Sequence, residues 1–180
     1  MNFQNAFYNS IQNNDIQNVK SLINHPKVDP CELKNWSIHL AVKAQNVEIV
    51  KLLLNDKRVD PSDDNNLSLQ FVASNGNLEI FKLLIGHKKI DSSGYKNIAI
   101  ALASENGHSD IIKLLLNDKR VNPSDRKNVA ITLAFLNNNL YITNLLWQDQ
   151  RVKNTLKNDN EKLYNKLIKK DKIKEKVNIF

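Results

Sequence analysis

Lys51 to Asp63 reads KLLLNDKRVDPSD, and Lys113 to Asp125 reads KLLLNDKRVNPSD. Twelve of the thirteen positions agree, and the two stretches lie 62 residues apart. A chain that writes one stretch twice is built from copies of a unit, so the period is the first quantity to find. With the Val-Asp-Pro of 59–61 as marker, a step of 31 residues back meets Val-Asp-Pro at 28–30. Steps forward meet Ile-Asp-Ser at 90–92, Val-Asn-Pro at 121–123 and Val-Lys-Asn at 152–154. Five copies align without a gap.

Each column has a physical reading. Asn35, Asn66, Asn97 and Asn128 each precede an apolar segment, where Asn is a good helix N-cap. Ile38, Leu69, Ile100 and Ile131 follow, with Phe7 in the first copy. Ala41, Val72, Ala103 and Ala134 form a small column that lets neighbouring helices approach. This first helix lasts about nine residues, fewer than three turns. Asn14, Gln45, Gly76, Gly107 and Asn138 then mark a tight turn, because Gly and Asn tolerate positive φ; Gln45 fits least well. A second helix carries Leu53, Leu84, Leu115 and Leu146 at three- and four-residue apolar spacing. The stretch after it has one β-branched residue, then Pro, Ser and Asp, which reads as a short extended piece and a turn. Such a unit cannot bury its apolar face alone, whereas stacked units share a core. The expected fold is all-α, a solenoid of about five helix-turn-helix repeats over 1–155 with short loops. A basic capping helix is expected over 156–180.

Composition bounds the function. The chain has 180 residues, 41% hydrophobic and 25% charged, as in ordinary folded soluble proteins. No apolar run approaches the ~20 residues that span a bilayer. The opening MNFQNAFYNS has no secretory pattern, and no lipidation motif is present. Cys31 is the one cysteine, so no intramolecular disulfide forms and a reducing compartment fits. An intracellular, cytoplasmic monomer is expected, with nuclear entry left open. The net charge is +7, but residues 151–180 hold ten Lys or Arg and four Asp or Glu, a net of +6. The first 150 residues are therefore near neutral.

A helix pair and turn at this period resembles the ankyrin repeat. Trp36 to Ala41 (WSIHLA) falls where that family has T-P-L-H-x-A, and Ala103 to Leu116 (ASENGHSDIIKLLL) is similar to its A-x-x-N-G-H-x-E-I-V-x-L-L-L. The 31-residue period and the NDxRVDPS loops resemble those of ankyrin-like arrays in giant DNA viruses of amoebae, of the mimivirus kind. No copy has the family's threonine–proline pair, and the loop is about two residues shorter. Stubby fingers with little strand pairing are therefore expected. The resemblance implies a non-enzymatic protein–protein interaction module, here a viral protein binding a host protein.

The residues offer no catalytic constellation. His25, His39, His87 and His108 have no metal-ligand spacing, and Cys31 shares its column with Ser62, Ser93 and Ser124. Four glycines leave no phosphate-cradling loop. No cofactor, no metal and no enzymatic activity are expected.

Binding belongs where columns vary at exposed positions. The loop tips pair Leu33 with Lys34, Asp64 with Asn65, Tyr95 with Lys96 and Arg126 with Lys127. These residues share no structural demand, so a partner surface and drift at solvated tips are both open. By resemblance, the first helices line the concave face, which makes His39, Lys43, Gln70 and Glu105 a second row. Trp147 and Trp36 stand in apolar columns and read as packed, with an edge of Trp36 reaching the surface. Lys27, Arg58, Lys89, Arg120 and Arg151 form a basic column after each second helix. Helix C-terminal carbonyls explain it; a phosphate-binding ridge is the other reading.

Residues 159–177 carry an apolar stripe at Leu163, Leu167 and Ile168, with Tyr164 beside it. The lysines Lys166, Lys169, Lys170, Lys172, Lys174 and Lys176 cluster on the same segment. A capping helix needs a polar outer face. A nuclear-import, anionic-membrane or nucleic-acid role is the other reading, although no aromatics are interleaved for base stacking. The leading expectation is therefore a protein-binding module, with tail-mediated nucleic-acid binding or nuclear targeting as the alternative.

Overall fold

In a computed structural model, the described residues are 2–90 and 96–177, with side chains over 2–90 and 97–170. Among them every regular element is a helix. The chain divides into two units, Met1–Tyr95 and Lys96–Phe180. The first holds α1 (Phe3–Gln12), α2 (Ile16–Leu22), α3 (Glu32–Lys43), α4 (Val47–Leu54), α5 (Asp63–Asn75) and α6 (Leu78–Ile85). The second holds α7 (Lys96–Asn106), α8 (Ser109–Asn117), α9 (Asp125–Leu136), α10 (Leu140–Trp147), α11 (Gln150–Asp159) and α12 (Glu161–Val177).

The helices pair in sequence and stack by kind. In the first unit α1 packs on α3 and α3 on α5, while α2 packs on α4 and α4 on α6. In the second, α7 packs on α9 and α9 on α11, with α8 against α10. This is the expected all-helical repeat architecture. The apolar columns form the cores: Phe7, Ile38, Leu69, Leu53 and Leu84 are buried in one unit, and Ile100, Ile131, Leu115 and Leu146 in the other. Removing Leu53 to Ala should cost about 2–5 kcal/mol. Trp147 is buried, and Trp36 packs against the His39 ring while keeping 36% of its surface exposed, both as expected.

The turn column does what its residues allow. Asn14, Gln45 and Gly76 have φ of 57°, 56° and 82°, and Gly107 and Asn138 have 86° and 59°. Gln45 adopts the left-handed conformation despite being the least suited. The next residue starts the second helix. Asp15, Asn46 and Asn77 accept from the backbone N–H of Asn18, Ile49 and Ile80, at 3.1, 3.0 and 3.1 Å. These are the side-chain N-caps of the second helices in the first unit, and Asn2 caps α1 in the same way, accepting from the Asn5 N–H at 3.1 Å.

The expected caps at Asn35, Asn66 and Asn128 are not caps. Leu33, Lys34 and Asn35 have φ of 53–59° and ψ of 38–50°. Residues 64–66 and 126–128 repeat that conformation. Helices α3, α5 and α9 are thus each entered through one turn of left-handed backbone. In place of a hairpin the finger is this turn, and among the described residues no strand forms. Left-handed backbone costs non-glycine residues roughly 1–2 kcal/mol each, so something must hold it.

The Asn side chain holds it by reaching the next copy. Asn35 Oδ1 accepts from the backbone N–H of Asp60 (2.6 Å), and its Nδ2 donates to Asp63 Oδ2 (3.0 Å). Asn97 Oδ1 accepts from Asn122 N–H at 2.8 Å. In the first copy Gln4 replaces Asn and exchanges bonds with the N–H and carbonyl of Asp29, at 2.8 and 2.9 Å. Asn128, fully buried, donates to Thr155 Oγ1 (2.7 Å) and Asp159 Oδ2 (2.6 Å).

The basic column works between copies too. Arg58 Nη2 donates to the carbonyl of Ile23 (2.9 Å), which ends α2. Lys89 Nζ donates to the Val59 carbonyl (3.1 Å), and Arg151 Nη1 to that of Val121 (2.7 Å). Asp56 and Asp149 orient their arginines through forked bonds of 2.6–3.2 Å. Arg58 thus meets a helix-terminal carbonyl, while Lys89 and Arg151 bond loop carbonyls, in each case of the preceding copy.

The fifth copy ends differently. Val152, Lys153 and Asn154 replace Val-Asp-Pro, and with no proline the segment stays helical as α11. Residue 155, the expected end of the array, lies inside α11. Helix α12 covers the end of the unit, burying Leu163 and Leu167. The Tyr164 ring meets the Trp147 ring edge-on at 5.8 Å. Among the described residues no helix is long and apolar enough to cross a membrane.

Candidate functional site

The left-handed turns decide what the loop tips show. Three consecutive left-handed residues bury the third side chain and turn the first two outward. Asn35, Asn66 and Asn128 are buried, while Leu33, Lys34, Asn65, Arg126 and Lys127 are exposed. Leu33 keeps 68% of its surface in solvent. Asp64 is half-buried.

In the first unit two neighbouring tips meet. Lys34 Nζ lies 3.3 Å from Asp64 Oδ1, an exposed pair of little energetic consequence. Lys34, Asp60, Ser62, Asp63, Asp64 and Asn65 line an open polar depression there. Asp60 Oδ1 accepts from Ser62 N–H (2.9 Å) and Oγ (2.6 Å). Burial works to raise the Asp60 pKa, but the Ser62 bonds and the nearby Lys89 and His87 bring it below the usual carboxylate value. In the second unit the corresponding tip is doubly basic, Arg126 with Lys127. Tyr95 and the Lys96 side chain lie outside the described residues.

The first-helix row does not form as expected. His39 is 1% exposed, so it cannot meet a partner. Its Nδ1 is 2.7 Å from Ser68 Oγ, and Trp36 and Phe71 lie edge-on to its ring at 5.9 and 6.5 Å. Burial lowers its pKa, with the Lys34 backbone, Asp64 and Asp63 opposing. The cause is simple: Ser68, which stands in the Ser37 column of the next copy, two positions before that of His39, offers the hydroxyl that the imidazole needs. Gln70 is half-buried and donates to its own loop, at the Asn65 carbonyl (2.8 Å). Lys43 and Glu105 are exposed, each within its own unit.

Cys31 acts as a turn residue. Its thiol donates to Asp29 Oδ1 (2.8 Å), a bond that, with burial, pushes the thiol pKa up. A raised pKa is the wrong direction for a nucleophile. Among the described residues no group of three or more His, Cys, Asp and Glu is placed to hold a metal.

In the tail, Lys166 lies over the Phe135 ring, 5.0 Å from its centroid. Lys169 and Lys170 are exposed, and the side chains of Lys172, Lys174 and Lys176 lie outside the described residues. Lys166 thus lies along Phe135 while remaining exposed.

Sequence reasoning missed the tethering amides and took them for caps. The signal was Gln4: glutamine is a poor N-cap but an amide with the same two bonds to offer.

Comparison with known families agrees with this architecture. A family model of ankyrin repeats in three copies matches residues 69–158, and a second, of ankyrin repeats in many copies, matches residues 38–85. No curated protein matches the sequence.

Proposed function

Because the chain belongs to the ankyrin repeat family, whose repeats are generally protein–protein interaction modules, we propose that it is a non-enzymatic binding protein that reads a protein partner with its loop tips. One observation carries this reading. The buried third residue of each described turn is always Asn, while the two residues before it, exposed except for the half-buried Asp64, change from Leu-Lys to Asp-Asn to Arg-Lys. A fixed frame that holds out changing side chains is what a recognition surface needs, and Arg is a residue type enriched at binding hot spots. By register in the sequence, Tyr95 and Lys96 are the corresponding pair of the fourth copy, and they are counted among the candidate binding residues. Lys43 and Glu105 are contributors from the first helices.

The resemblance to arrays of giant DNA viruses supports a further step. The partner is a host protein, and the chain works as a monomer in the host cytoplasm, without cofactor. Nucleic-acid binding through the tail is the competing reading, and the packing of Lys166 on Phe135 weighs against it.

The test is affinity capture with the full chain, followed by the double change Leu33→Glu with Arg126→Glu. Both side chains are exposed, so the circular-dichroism melt should not move. The specific partner recovered by the unaltered chain should be lost. If no specific partner is recovered, or the double change leaves it bound, the tip surface is the wrong one.

A further inference from the structure

The end of the second unit carries a feature that the repeat frame does not require. Residues of α9, α10 and α12 line two hollows, of about 220 and 210 Å³. Phe135 and Lys166 line both, so the Lys166–Phe135 pair stands between them. The first is walled by Leu140, Trp147 and Leu167, the second by Leu136 and Leu163. Large apolar side chains continue outward from them: Leu136 is 72% exposed, Leu140 51% and Tyr141 60%. Exposed leucines joined to apolar hollows mark an interaction surface. Each hollow is below the ~300 Å³ usual for a small-molecule site and suits a single side chain.

The charge around the hollows selects the occupant. Lys166 and Lys170 line the first and Lys162 and Lys166 the second, and no Asp or Glu lines either. We propose that this groove docks an acidic amphipathic segment of a partner protein, with two apolar side chains in the hollows and carboxylates on Lys162, Lys166 and Lys170. The site is separate from the loop tips and does not depend on them. A second copy of this chain is the wrong occupant, because residues 151–180 carry a net +6 and repel their own kind. Nucleic acid is disfavoured because bases need open aromatic faces. Here Lys166 covers Phe135, Lys113 covers Tyr141 at 5.5 Å, and Trp147 is buried.

The experiment is selection of a random-peptide phage library on the immobilised full-length chain, followed by fluorescence-anisotropy titration of the recovered peptides. Recovered peptides should share a pair of apolar residues flanked by Asp or Glu. The double change K166E with K170E should weaken them by about tenfold or more, since it sets like charges against each other. Both lysines are exposed, so folding should persist, as a thermal melt will show. L140D, a separate change in the same groove, should also weaken them. The tip change Leu33→Glu should leave their affinity unchanged, which separates this surface from the tips. Phosphatidylserine vesicles and a single-stranded oligonucleotide serve as the other arms. The proposal is overturned if no peptides are recovered, if they lack acidic residues, or if they keep their affinity in K166E with K170E. It is equally overturned if that double change abolishes binding to vesicles or oligonucleotide while sparing the peptides.

Discussion

Replacing Asn35 by Gly separates two explanations of the Asn column. Asn tolerates left-handed backbone, and Asn35 has φ 59°. It also makes two bonds to the next loop, one from the Asp60 N–H and one to the Asp63 carboxylate. Glycine keeps the left-handed backbone and deletes both bonds. A neutral bond contributes roughly 0.5–1.5 kcal/mol net, and one to a charged group roughly 1.5–3. Asn35→Gly should therefore cost about 2.5–5.5 kcal/mol, including its extra chain entropy of about 0.5–1. Asn35→Ala loses the same bonds and adds about 1–2 for the left-handed backbone, so it should fall within about 1 kcal/mol of the glycine variant. If the column existed for backbone alone, Gly would be within about 0.5 kcal/mol of the parent and Ala would lose about 1–2. Urea unfolding followed by circular dichroism and Trp36 fluorescence measures both. Trp36 is next to the substituted residue and Trp147 lies in the other unit, so an effect confined to the Trp36 signal locates the loss, as repeat arrays permit. A double-mutant cycle with Asp63→Ala should show a coupling of about 1 kcal/mol or more. A near-neutral Asn35→Gly refutes the tether.

Three further outcomes follow from the same frame. Gly107→Ala should cost about 1–2 kcal/mol in thermal unfolding, because the position has φ +86° and a Cβ there meets Asn139 Oδ1 at 3.3 Å. The arginine bonds hold Asp56 and Asp149 below the usual carboxylate value. Their contribution is thus present above about pH 4 and is lost as pH falls through the lower folded-state values; replacing both with Asn should flatten the stability curve in that acidic range. Burial lowers the His39 pKa, so the unfolded chain takes up its proton first and stability should fall as pH drops below about 6.5. His39→Gln should remove that slope, as melts between neutral and mildly acidic pH will show.

Much of the fold was legible because repetition multiplies weak signals. One Leu at position 53 says little; Leu53, Leu84, Leu115 and Leu146 in register define a buried stripe. The turn column was readable even at Gln45, since its neighbours in register required positive φ. The finger conformation was not readable. Asn before an apolar run is the ordinary signature of a cap, and only spatial contact with the next copy shows that Asn35 serves Asp60. His39 went wrong for a related reason: its environment is set by Ser68, 29 residues away. The groove under α12 was hidden because Phe135, Leu140 and Leu167 come from three helices, and no column joins them.

The tethers also constrain how such a chain can change its length. The amides of Gln4, Asn35, Asn97 and Asn128 serve acceptors or donors 25 to 31 residues later. A single inserted residue would move a buried Asn onto an exposed tip and place a tip residue in its socket. Whole units of 31 can be added or lost while every socket stays filled. Growth in such a lineage is therefore quantised, by duplication of complete blocks. The near-identity of 51–63 with 113–125, two blocks apart, is the kind of trace that such copying leaves.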